Sequence, residues 1–301
     1  MSKQPASLKE YLTERKKIVD DALDQFLPGE DRFPPLIFKS MRYSVFAGGK
    51  RLRPILCMAA AETVGGDIEM VVPVACAIEL IHTYSLIHDD LPLMDDDDFR
   101  RGMPTNHKVF GEGIAVLAGD ALLTEAFHLM SDGEILDKVT PESLLKTISE
   151  ISRAAGFDGM IGGQVVDLES EGKDADMETL NYIHTHKTEA LLTVSIRAGA
   201  ILAGASESDL AALSAYGRGI GLAFQITDDI LDIEGDRETL GKDTGSDKAH
   251  SKVTFPALLG LDGSRKRARE SIDEALSNIS CFDERADSLR MIAKFIIERR
   301  S

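Results

Sequence analysis

Apolar residues recur along this chain at intervals of three and four, and over no long run do they alternate with polar ones. That is the period of an α-helix laying one face on a core. Prolines and glycines divide the pattern into predicted helices over 7–26, 35–47, 53–64, 68–90, 112–130, 141–155, 157–171, 177–203, 207–234, 253–261, 264–279 and 284–299. Residues 99–111 (FRRGMPTNHKVFG) and 235–252, polar and glycine-bearing, read as loops. Pro92 lacks an amide hydrogen and disfavours helix at the residue before it, so the 68–90 helix ends or distorts near Leu91. No repeat-length period and no Ser- or Pro-rich linker divides the chain. The expectation is one all-α domain over 1–301, a bundle of roughly ten or more helices.

Composition narrows this little. With 301 residues, 43 % of them hydrophobic, a large core is available. No stretch of about eighteen uncharged apolar residues predicts a membrane span, and the opening MSKQPASLKEYLTERKK has no apolar core of a secretion signal. Cys57, Cys76 and Cys281 are an odd, scattered set, read as reduced thiols of a cytoplasmic protein. A net charge of −17 argues against nucleic acid or an anionic membrane as partner. An anionic substrate would require a local basic patch or a bridging cation.

The chemistry gathers around LIHDDLPLMDDDD, residues 86–98, where six of the ten positions from Asp89 to Asp98 are aspartate. An apolar segment, AIELIHTYSLI, runs straight into this block. A second acidic segment, FQITDDILDIEGD, begins at Phe224. Asp228 and Asp232 stand at i and i+4, one face of a helix, while Asp229 points to one side. Six residues separate Asp89 from Asp95, too few for two turns, so only a distortion at Pro92 would align them. Buried carboxylates stay ionised if they share hard cations, and magnesium bridges carboxylates to phosphates. Solvated helix ends are the plain alternative for both clusters. Neither has the ligand alternation of an EF-hand.

Basic residues follow. Arg100 and Arg101 come directly after the first cluster, and GGKRLRP at 48–54 offers Lys50, Arg51 and Arg53 behind two glycines as an anion cradle. It lacks the spacing of a Walker A loop. His82 lies about two turns before Asp89 on the same face. Lys187 (in HKT) and Lys242 (in GKD) stand in polar contexts.

Together these segments resemble the trans-isoprenyl diphosphate synthases, most closely the bacterial farnesyl type. The likeness runs from GGKRLRP to FPALLG (255–260): HDDLPLMDDDDFRRG at 88–102, GDALL at 119–123, GGQVVDL at 162–168, HKT at 186–188 and FQITDDILD at 224–232. It implies an all-α fold around a central cavity, and several magnesium ions per site held by Asp89, Asp90, Asp95, Asp228 and Asp232. The allylic diphosphate would meet Arg100, Lys187, Lys242 and Lys252, with Thr188 and Gln225 beside the developing cation. Isopentenyl diphosphate would meet Gly49, Lys50, Arg53, His82 and Arg101. A homodimer is also implied. The loop at 242–252 and the basic end ERRS (298–301) are candidates for closure over diphosphate, with a solvated tail as the plainer reading of the end.

Product length follows from the residues preceding Asp89. Ser85 is four back; Tyr84 is five back, about 7.5 Å along the axis. In the family an aromatic at that position goes with the fifteen-carbon product, although aromatic rings also simply fill cores. The expectation is head-to-tail condensation of isopentenyl diphosphate with dimethylallyl and geranyl diphosphates to farnesyl diphosphate. The alternatives are a geranylgeranyl diphosphate synthase, a class I terpene cyclase (against which GGKRLRP and Arg101 argue) and a non-catalytic regulatory subunit or acidic helical scaffold.

Overall fold

The computed structural model describes residues 7–173, 176–234 and 254–299, the side chain of Glu134 apart. Lys242, Lys252, the loop predicted over 235–252 and the last two residues of ERRS therefore lie outside the described residues.

The chain is all-α. The helices are α1 (Leu8–Phe26), α2 (Pro35–Val45), α3 (Leu52–Thr63), α4 (Val72–Asp89), α5 (Asn106–Phe110), α6 (Glu112–Ser131), α7 (Pro141–Ala155), α8 (Met160–Ser170), α9 (Met177–Ile183), α10 (Ala190–Leu202), α11 (Glu207–Glu234), α12 (Phe255–Asn278) and α13 (Asp287–Glu298). Helix α4 is apolar on nearly every side: Val74 to Ile81 are all buried. Such a helix must be surrounded, and α4 packs on α6, α3 and α1. Helix α10, equally buried, joins α3 to α11 and α7. Helix α11, about 42 Å long at 1.5 Å per residue, packs along α12. The run Glu112–Asp137 is long and apolar enough by composition to cross a bilayer, yet α6 within it packs on α4 and α2 in the helical bundle.

Two departures from the predicted elements bear on the site. The stretch 99–111 is not a loop throughout: Phe99–Arg100 and Met103–Pro104 form a small antiparallel hairpin, followed by α5. Its turn residues, Arg101 (φ 55°) and Gly102 (φ 76°), both adopt left-handed backbone, as a tight two-residue turn requires. The helix predicted over 177–203 is interrupted by a π-helical turn, His184–Glu189, between α9 and α10; such bulges collect at functional positions. The two helices predicted over 253–261 and 264–279 are both present within α12, separated by the non-helical Gly260 (φ 69°, ψ 165°).

Candidate active site

A cavity of about 680 Å³ opens among α3, α4, α8, the π-turn and α11. The C-terminal turns of α4 present His82, Tyr84, Ser85, His88 and Asp89 to it; α11 presents Phe224, Gln225 and Asp228. Between the two acidic segments lie apolar side chains, among them Met94, Met160, Ile161 and Leu168. Asp89 and Asp228, far apart in sequence, therefore face one largely apolar space. Helix α4 ends at Asp89, and the chain through Pro92 folds back so that the Asp95 amide donates to the Asp89 carbonyl (2.8 Å). The turn thus joins the backbones of Asp89 and Asp95, although the Asp95 side chain is not on the cavity wall.

Two other aspartates depart from expectation. Asp90 is 3 % exposed and off the cavity wall. It is the partner of Arg100, whose Nε donates to Oδ1 (2.6 Å), with Nη2 at 2.5 Å from the same oxygen. One helical step past Asp89 turns the Asp90 carboxylate some 100° away, so it orients Arg100 rather than facing the cavity. Burial raises the Asp90 carboxyl to about 6, opposed by Arg100. Asp232, expected beside Asp228, is also buried and off the wall, its Oδ1 without a hydrogen-bond partner among the described residues.

The cations divide into two groups. Arg53, His82 and Arg101 line the cavity together with Arg100 and Lys187. Burial, followed by the guanidiniums of Arg53, Arg101 and Arg100, drives His82 far below its ordinary range, so the ring is neutral. Burial lowers Arg53 to about 10, with Glu79 working against the shift and Arg101 adding to it, and its Nε has no partner among the described residues. Crowded cations with an unpartnered buried donor suit a bound anion. Gly49 and Lys50 instead line a smaller apolar cavity of about 250 Å³, with Phe224 common to both. They stay tied to the first group through the Gly48 carbonyl, which accepts from Arg101 Nη1 (2.6 Å). Gly49 has φ 114°, and a Cβ there would lie 2.6 Å from that same nitrogen, so only glycine fits. Arg51 does not belong to the cradle: it is 2 % exposed and spans Glu79 (2.8 Å), Asp20 (2.8 Å) and the Val45 carbonyl (2.6 Å).

Across the cavity, the π-turn carries Lys187 and Thr188. Lys187 Nζ donates to Asp167 of α8 (2.6 Å). Thr188 Oγ1 donates to Gln225 Oε1 (2.9 Å), Gln225 Nε2 to Asp229 Oδ1 (3.1 Å), and the Phe255 amide to Asp229 Oδ2 (2.9 Å). Asp229, dismissed in sequence as pointing aside, anchors this relay. Arg299 is likewise no solvated tail. Its side chain is 6 % exposed, with Nη2 donating to Asp228 Oδ1 (2.7 Å) and the guanidinium over the Phe224 ring at 3.9 Å. Gln164, inside the quoted GGQVVDL, was also missed: it lines the cavity with both amide atoms buried and without a partner among the described residues. An orphaned amide aimed at a cavity is a ligand signal.

Among the described residues no three His, Cys, Asp or Glu side chains converge to hold a metal unaided. The donor set is nonetheless hard oxygen, a carboxylate on each side of the space, with guanidiniums nearby. It fits magnesium, which uses one or two carboxylates and completes its shell with water and substrate phosphates.

A family model described as polyprenyl synthetase matches residues 34–292. The chain belongs to the polyprenyl synthetase family. Among its relatives, a geranylgeranyl diphosphate synthase of Cyanophora paradoxa is 49 % identical over 292 residues, covering 97 % of this chain and 96 % of the relative. A farnesyl diphosphate synthase of Bacillus subtilis (strain 168) is 47 % identical over 292 residues, covering 97 % and 98 %. The apo crystal structure of an FPP/GFPP synthase from Zymomonas mobilis superposes with a TM-score of 0.86 at 39 % identity, covering 96 % of this chain and 98 % of that one. This polyprenyl synthetase is thus a prenyltransferase of isoprenoid biosynthesis, and relatives of near-equal identity carry names for different product lengths.

Proposed function

We propose that the chain condenses isopentenyl diphosphate with dimethylallyl and then geranyl diphosphate, in the presence of magnesium, to give (2E,6E)-farnesyl diphosphate. The observation that carries this reading is one largely apolar cavity lined at once by Asp89, Asp228 and, one turn back from Asp89, Tyr84. Asp89, Asp95 and Asp228 would hold the magnesium ions, which neutralise charge building on the departing diphosphate. Arg100 and Lys187, oriented by Asp90 and Asp167, bind the allylic diphosphate, and Lys242 and Lys252 are proposed with them. Arg53 and Arg101, with neutral His82, bind isopentenyl diphosphate, while Lys50 and the Gly49 backbone border that group. Thr188 and Gln225, fixed by Asp229, turn oxygen atoms toward the allylic cation that remains. The homoallylic double bond attacks this cation, and the proton then lost passes to the released diphosphate. Met94, Met160 and Leu168 exclude water that would quench the cation.

Tyr84, 6 % exposed on the cavity wall, supports the fifteen-carbon product. The twenty-carbon product is the second reading, favoured by the 49 % identity to a geranylgeranyl diphosphate synthase. Supplying the purified protein with magnesium, dimethylallyl and isopentenyl diphosphates decides between them. The expected main product has fifteen carbons; a twenty-carbon product selects the second reading, and no condensation overturns both.

We further infer a single-domain cytoplasmic homodimer. Val116 and Leu117 of α6 leave apolar side chains exposed side by side, a surface a second copy could cover. Cys57 and Cys76 are buried free thiols, as a reducing compartment allows.

A further inference from the structure

His88 is used by no step above, yet it is held on two sides at the cavity wall. Its Nε2 lies 3.1 Å from the Val116 carbonyl on α6. A carbonyl only accepts, so that ring nitrogen carries the proton. The imidazole fits there because residue 119 has no side chain: a Cβ at Gly119 would lie 2.2 Å from His88 Nε2. The other side of the ring meets Tyr84, one turn back on α4, with centroids 5.7 Å apart and planes at 80°, an edge-to-face pair. Both rings line the cavity. The Tyr84 ring has the cavity on one side. His88, four residues on, leans back over the Tyr84 turn, where its ring backs the tyrosine edge to face.

We propose that His88, wedged against α6 by Gly119 and Val116, holds the Tyr84 ring across the path of the growing hydrocarbon and thereby sets product length. His88 is a positioning residue: it acts through Tyr84. One helical turn rises about 5.4 Å, the order of length of one isoprene unit, so releasing the ring admits one further addition. The inference rests on Tyr84 being the ruler of the proposed reaction.

Two variants perturb the wedge from opposite sides. His88→Ala removes the ring, and Gly119→Ala keeps it but pushes it out of its slot. Each is assayed with isopentenyl and dimethylallyl diphosphates for the ratio of products one unit longer to the parental product, beside Tyr84→Ala and His88→Ala/Tyr84→Ala, with thermal melts by circular dichroism. A several-fold rise in the longer product in both single variants, with no further lengthening when His88→Ala is added to Tyr84→Ala, is the expected result. An unchanged ratio in His88→Ala and Gly119→Ala while Tyr84→Ala lengthens the product overturns the wedge and leaves the ruler standing. Lengthening by His88→Ala on top of Tyr84→Ala also overturns it, because His88 then acts on its own. No change in Tyr84→Ala removes the ruler and the wedge with it. If His88→Ala does not fold, Gly119→Ala decides, since alanine favours the helix interior.

Discussion

Arg299, at the far end of the chain, donates through Nη2 to Asp228 Oδ1 at 2.7 Å and lies over the ring of Phe224. The carboxylate proposed to take a metal on α11 is thus already held by a cation. A magnesium ion held by Asp228 would compete with that guanidinium for the same oxygen. Arg299→Ala should lower the half-saturating magnesium concentration several-fold. A magnesium titration of turnover at saturating substrates checks this, and an unchanged or raised requirement would show that the pair opens freely.

Asp89 and Asp228 face one space from two helices and are its only acidic wall residues among the described residues. Asp89→Ala or Asp228→Ala should each reduce kcat by a factor on the order of 10² to 10³, as loss of a transition-state charge stabiliser does. The helical circular dichroism spectrum should stay intact, since neither is a core residue. Near-parental turnover in either variant would sink the metal assignment.

Asp229 touches neither the cavity nor a proposed substrate, yet it fixes Gln225 and closes on the Phe255 amide. Asp229→Ala leaves that amide without its acceptor, at about 1–3 kcal/mol, and frees the Gln225–Thr188 pair. A lower melting temperature should accompany a fall in kcat larger than the change in either KM. Asn, which keeps one acceptor oxygen, should recover much of the stability.

Glu189 ends the π-turn. Burial raises its carboxyl to about 7, with Arg218 opposing the shift. The folded chain thus keeps a proton that the unfolded chain releases near the ordinary value of 4.5. Between these values the native state binds more protons, so this group makes stability fall as pH climbs from about 4.5 to about 7. Glu189→Gln removes the penalty: its melting temperature should exceed the parent's at pH 8 and converge with it below about pH 4.5. Equal melting temperatures at pH 8 would place Glu189 in water.

What was legible in the sequence is what local spacing encodes. Apolar periodicity gave the helices, because a helix buries the same face every three to four residues whatever packs on it. The order of the acidic and basic segments gave the family, and Pro92 correctly marked the end of α4. Asp228, a carboxylate on an otherwise apolar helix, does face the cavity, for the same reason. Placement could not be read where a side chain's partner comes from elsewhere in the chain. Asp90 looks like Asp89 in a string of aspartates, but one step around the helix delivers it to Arg100. Arg51 looks like its neighbours until Glu79 and Asp20 close on it. Asp229 and Arg299 carry no local signal, since their partners stand 26 and 71 residues away. A sequence states which charges a chain owns; only packing across distant segments decides which are spent on one another and which remain turned toward a substrate.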